Sequence, residues 1–131
     1  MTEFSNLFKS DDWKKEKHIP VIEAPAELSK GEICNVKISV GKSIPHPNNS
    51  LHHIRWIAVF FLPENEKFPY QLARAEFTAH GESTEGADTS TVYTEPDVIF
   101  NFKTEKSGTF FASSYCNIHG LWQSSHVIKC K

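Results

Sequence analysis

Five histidines and one cysteine carry the chemistry open to this sequence. Cys116-Asn117-Ile118-His119 closes the apolar run 110–115 and is followed by Gly120. A Cys-x2-His turn offers a soft thiolate and an imidazole to one ion. Its amide N–H groups can turn back on the sulfur and adjust its electron donation. His46 stands in Ile44-Pro45-His46-Pro47, where prolines restrict the backbone on both sides. A ring that holds a metal gains from a backbone already fixed. His52 and His53 are adjacent, so in extended chain their rings point to opposite faces. His52 shares parity with Ile54 and Trp56, and His53 with Arg55, which favours His52 as the inward member. Residues 14–18 read Lys-Lys-Glu-Lys-His. Most such runs are solvated charge, but Glu16 and His18 share a face if extended, with Lys17 between them as a movable positive charge. Each motif alone has a plain reading: a buried Cys beside an unrelated His, a Pro-rich turn with a solvated His. Together they point to a redox-active metal held by several histidines and the Cys116 thiolate.

These side chains need a rigid frame. Residues 33–40 alternate, with Cys34, Val36, Ile38 and Val40 on one face, and 97–103 alternate through Val98, Phe100 and Phe102. Segments 18–23, 53–62, 70–78, 109–115 and 126–129 have strand character. Turn-forming clusters separate them: GKSIPHPNNS, PENEKFP, HGESTEGADTS and TEKSG. About seven short strands at this spacing predict an all-β fold, a sandwich or small barrel. Phe4, Leu7 and Phe8 predict a short helical turn at the start. Strand 54–62 is apolar on both faces, which calls for a cover from a second subunit or a folded-over loop. Loops at one end of such a frame are where binding groups collect.

The chain of 131 residues has room for a single domain spanning 1–131. A hydrophobic content of 39% and a charged content of 23% place it among ordinary globular proteins. No apolar run approaches the roughly 20 residues of a membrane span. The start lacks the pattern of a secretory signal, so the expected location is the cytoplasm. A net charge of −2 offers no basic surface for nucleic acid. Three cysteines, an odd number, argue against a disulfide framework. Cys34 is expected as a small buried hydrophobe and Cys130 as exposed and incidental, with a bridge between them left open.

Glu16-Lys17-His18, Ile44-Pro45-His46-Pro47-Asn48, His52-His53-Ile54-Arg55 and the run from Ser114 through Cys116 and His119 to Trp122, taken in order, resemble the superoxide reductases of single-iron, neelaredoxin type. These form the iron-binding domain of the desulfoferrodoxin family. Phe77 to Ser83 and Val92 to Pro96 are also similar to that family, and the resemblance spans about residues 12–125. There is no Cys before Cys34, so the additional rubredoxin-like domain of longer members is absent from this sequence. The resemblance implies an immunoglobulin-like β-sandwich and one iron per chain. It implies His18, His46, His52 and His119 as a square of imidazoles, with Cys116 as axial thiolate. It further implies that the sixth position is open in the ferrous state and filled by Glu16 in the ferric state, with Lys17 near the open face. The implied activity is one-electron reduction of superoxide to hydrogen peroxide, the implied donor rubredoxin, the implied assembly a homotetramer. Leu51 and Gln123 depart from charged residues common in relatives and bear on surface charge and docking.

Two other chemistries compete. A cupredoxin-like electron carrier uses His and Cys on a β-sandwich with a weak axial Met, but the only methionine is Met1. A structural zinc site of one Cys and three His needs no open position and leaves Glu16-Lys17 unexplained. A β-sandwich binding module with incidental histidines predicts no stoichiometric metal.

Overall fold

A computed structural model describes residues 1–131. After a 3-10 helix at Phe4–Leu7 come eight strands: β1 (Pro20–Glu23), β2 (Glu27–Leu28), β3 (Cys34–Val40), β4 (Ile54–Pro63), β5 (Tyr70–Glu76), β6 (Asp97–Phe102), β7 (Gly108–Cys116) and β8 (Gly120–Cys130). They form the expected sandwich, with a three-stranded sheet ordered β1-β3-β6 facing a five-stranded sheet ordered β2-β8-β7-β4-β5. All pairings are antiparallel except β2 with β8. No helix is long and apolar enough to cross a membrane.

Alternation places the core between the sheets. Val36, Ile38 and Val40 of β3 meet Ile57, Val59 and Phe61 of β4, Phe110 and Ala112 of β7 and Ile128 of β8 in one buried cluster. Phe61, Phe102 and Phe110 pack with centroids about 5 Å apart at steep angles, a favoured aromatic geometry. Truncating the fully buried Phe110 to Ala costs about 3–5 kcal/mol on general grounds. The frame that positions the site is therefore stiff.

Four expectations need correction. Strand β2 was not legible, because two residues paired in parallel leave no periodicity. Strand β8 runs eleven residues from Gly120, not four from 126. Its first half, Gln123-Ser124-Ser125, lacks apolar alternation, and its strand form is set by continuous pairing with β7 from Cys116↔Gly120 to Gly108↔Ile128. Cys130 is half-buried, not exposed: its N–H is held by Ser107 Oγ at 2.8 Å. Cys34 is also half-buried, packed against the core, and both thiols are free.

The second apolar face of β4 is partly covered by this chain itself. Trp56 stacks on Tyr115 at 5.9 Å under the Arg74 guanidinium. Phe60 and Phe111 line a shallow cavity of about 360 Å³ with Phe4 and Phe8 of the N-terminal segment. That segment is pinned by backbone bonds from Lys9 to Leu121 and Gln123.

Candidate metal centre

Topology brings the chemical residues to one end of the sandwich. The start of β1 pairs with the end of β3 (Pro20↔Val40), and the start of β4 with the end of β7 (Ile54↔Cys116). The segment before β1 carries His18, the β3–β4 loop carries His46 and His52, and the β7–β8 turn carries Cys116 and His119. All five meet.

The four imidazoles form a near-square. Ring centroids are 4.8 Å apart for His18–His46, 4.7 Å for His46–His52, 5.0 Å for His52–His119 and 4.8 Å for His119–His18. The His18–His52 diagonal is 6.4 Å. Donor atoms of His18, His52, Cys116 and His119 all lie within 4.8 Å of one another. The buried Cys116 Sγ lies 3.8 Å from His119 Nδ1 and accepts the His119 amide N–H at 3.3 Å. The exposed edge of the square is at His119.

The His46 and His18 rings are set from outside. His46 Nδ1 donates to the Pro47 carbonyl at 2.6 Å, which leaves Nε2 as a lone pair, and that atom is buried with no partner. Gly41, at φ +91°, lies so close that an added Cβ would sit 2.7 Å from the His46 nitrogen. His18 Nδ1 meets Glu16 Oε1 at 2.5 Å, which also accepts the His18 amide N–H at 3.0 Å. Ser114 Oγ holds the His18 carbonyl at 3.2 Å. The segment at Lys17 and His18 is a turn, not extended chain, so Glu16 reaches His18 by folding back. Glu16 Oε1 thus lies on the outward nitrogen of His18.

The adjacent histidines separate, but not as parity suggests. His53 is the buried one, 5% exposed, while His52 is half-buried and joins the square. Register shifts between Ile54 and Trp56, and the chain before β4 is irregular, so strand parity does not extend back to residue 52. His53 stacks on His80 at 3.5 Å and 9°, and its Nδ1 donates to the Asn49 carbonyl at 2.9 Å.

Sequence reasoning missed the residues that brace these loops. Asn49 Oδ1 accepts the amide N–H groups of Leu51 and His52. Asn117 accepts from the His53 N–H at 2.9 Å and donates to the Leu51 carbonyl at 2.9 Å, tying the two histidine-bearing loops together. The long 77–96 connection supports the same loops through Asn48 to the Thr94 carbonyl, Ser50 to Asp88 and His53 on His80. Asn in a turn was the available signal.

Electrostatics favours metal-accepting forms. Burial pushes the His18, His46 and His52 rings below the usual histidine range, His46 to about 4. The positive charge of Lys17 acts in the same direction on all three. Neutral imidazole is the form that binds a metal. Burial raises the Glu16 carboxyl, but its hydrogen bonds from His18 prevail and leave it below the usual range.

The donor set itself tests whether a cation fits. His18 and His46 have their Nδ1 atoms engaged outside the square, so their Nε2 atoms face inward as acceptors. His119 Nδ1 stands 3.2 Å from His18 Nε2 and 3.3 Å from His52 Nε2, yet one ring nitrogen carries one proton and cannot serve both. The square has more lone pairs than protons. A cation resolves that mismatch, and soft thiolate with imidazoles suits a transition metal.

Comparison with known proteins agrees with this geometry. The desulfoferrodoxin family model matches residues 10–125. The chain is 58% identical over 125 residues to a superoxide reductase of Pyrococcus furiosus, covering 95% of this chain and 98% of that protein. It superposes on a crystal structure of a putative superoxide reductase from Thermotoga maritima with TM-score 0.97 at 51% identity, covering 100% and 99% of the two chains. It superposes on the reduced neelaredoxin of Archaeoglobus fulgidus with TM-score 0.87 at 56% identity, covering 94% and 98%.

Proposed function

The chain belongs to the desulfoferrodoxin family, and from that premise we propose that it is a superoxide reductase acting through a single iron. Superoxide takes up one electron and two protons and leaves as hydrogen peroxide, with no oxygen formed. One observation carries the choice of a five-donor iron site over a closed zinc site. Tetrahedral zinc on Cys116 and three histidines would leave His46 Nε2 buried without a partner, which is costly. Five donors, His18, His46, His52, His119 and Cys116, would hold an iron with every inward lone pair used, and a metal that accepts a further ligand would have room for substrate. Iron held there supplies the one-electron couple, with the Cys116 thiolate adding electron density.

The chain's own groups do the rest. Burial favours the neutral form of the His18, His46 and His52 rings, and the His119 amide bond to Cys116 Sγ moderates the sulfur's donation. Lys17, with Lys14 and Lys15 nearby in sequence, draws the superoxide anion toward the square. Glu16 has two roles in this reading, orienting His18 through Nδ1 and closing the open position in the oxidised state. The exposed His119 edge suits entry of the electron from a small donor such as rubredoxin. The partly exposed outer face of β4 and β7, with Phe111 41% exposed, suits self-association as a tetramer.

Metal analysis and the oxidised spectrum test the site. One iron per chain, with a visible thiolate-to-iron band bleached by reductant, is expected; stoichiometric zinc or no metal would overturn it. Peroxide formation from superoxide without oxygen release then separates reductase from dismutase activity.

A further inference from the structure

The β8 residue Trp122 touches two corners of the square. Its indole lies face-on against the His18 ring, with centroids 4.7 Å apart and planes 11° from parallel. Its Nε1–H donates to the His119 carbonyl at 3.2 Å. Trp122 is 8% exposed and sits directly across from Ser114 in the β7–β8 register. Ser114 Oγ holds the His18 carbonyl, so one cross-strand pair grips both the backbone and the ring of His18. The backbone beside Trp122 is held in turn, since Lys9 bonds to Leu121 and Gln123 on either side of it.

The physical need for such a grip is specific. The outer torsion of a histidine side chain is broad, so a hydrogen bond at Nδ1 leaves the ring free to rock about that bond. Glu16 fixes one atom of His18; only a flat neighbour fixes its plane. His119, the most exposed corner, has no ring neighbour outside the square, and its position is set through its backbone. The carbonyl bond from Trp122 and the amide bond to Cys116 Sγ hold both sides of that residue.

We propose that Trp122 is a positioning residue for the metal centre, with the indole face setting the His18 plane and the indole N–H setting His119. The inference rests on the reading that the square holds iron. Outer partners of metal ligands typically contribute about 10–100-fold in metal affinity. Trp122→Phe keeps a ring over His18 and loses the donor to His119, so iron affinity by chelator competition should fall about tenfold. Trp122→Leu loses both and should fall about a hundredfold. In the metal-free protein, the ring current of the indole should shift the His18 Cε1 proton upfield, largely retained in Trp122→Phe and abolished in Trp122→Leu. The oxidised thiolate band should move in both variants. Phe110→Leu, a core change away from the square, controls for general destabilisation and should leave affinity and band unchanged.

If both variants, or whichever one folds, bind iron within twofold of the native affinity with the band unmoved, the inference is overturned. The same follows if Phe110→Leu lowers affinity as much. Failure of the native protein to bind iron would instead sink the functional reading on which this rests.

Discussion

Replacing Gly41 by Ala should damage the metal centre, whereas the same change at Gly31 should cost only stability. Both glycines have positive φ, +91° and +73°, a region where a side chain costs about 1–2 kcal/mol. They differ in what a Cβ would meet. At Gly31 there is nothing within 4 Å; at Gly41 the new atom would stand 2.7 Å from the His46 nitrogen and 3.4 Å from Pro45 Cα. Those are backbone atoms of the Pro45-His46-Pro47 run and cannot rotate away, so the loop must move and His46 with it. Adding about 1–3 kcal/mol for the forced shift brings Gly41→Ala to about 2–5 kcal/mol. A chain of this size loses about 3–5 °C in Tm per kcal/mol. Melting of the metal-free proteins by circular dichroism should fall by about 5 °C for Gly31→Ala and about 10 °C or more for Gly41→Ala. Chelator competition should show iron affinity unchanged in the first and reduced about 10–100-fold in the second. If Gly41→Ala melts no lower than Gly31→Ala and binds iron as the native protein does, the account of how His46 is placed is wrong.

Lys17→Ala should slow the second-order reaction with superoxide about three- to tenfold at low salt and less at high salt, because steering of an anion is screened; stopped-flow rates independent of both would remove Lys17 from this role. Glu16→Ala should leave that first encounter within about twofold yet weaken iron binding about tenfold, since His18 loses its partner at Nδ1; loss of the encounter itself would refute the assignment. In the metal-free protein, acid should destabilise the fold as pH falls from 6.5 toward about 4. In that window the unfolded chain takes up a proton at His46 that the folded protein, with its ring held near 4, does not. His18 and His52 are shifted the same way. Urea midpoints should therefore drop across the window less steeply in His46→Gln, and equal slopes would count against the buried neutral ring.

What the sequence made legible was whatever is local or periodic. The alternation of Val36, Ile38 and Val40 is a direct image of one buried face, and the core lies where it indicates. Cys116 and His119 share one turn, so their proximity needs no knowledge of the fold. Spacing could nominate His18 and His46 but not unite them, because they meet only through the antiparallel pairing of β1 with β3. Spacing also misjudged why His52 differs from His53, since the chain before β4 is shaped by Asn49 and Asn117 and not by strand parity. Strand β8 was half hidden because pairing with β7, not its own pattern, makes Gln123-Ser124-Ser125 extended.

The metal-binding geometry is paid for by polar residues that hold no metal. Three connecting segments supply the donors, and irregular chain is ordinarily the mobile part of a domain. Here the segments are tied by groups beside the donors: Asn49 accepts the His52 amide N–H, Asn117 links the His53 amide N–H to the Leu51 carbonyl, Glu16 accepts from both the backbone and the ring of His18, and the Pro47 carbonyl accepts from the His46 ring. Each tie is a net gain of only about 0.5–1.5 kcal/mol. Their importance lies in direction, because two of them aim the Nε2 lone pairs of His18 and His46 into the square. Ordering the loops is thus completed during folding, and little conformational entropy is left to oppose metal uptake. A site built this way favours tight, geometry-selective binding, and substitutions at Asn49 or Asn117 act on it through the loops with no donor atom removed.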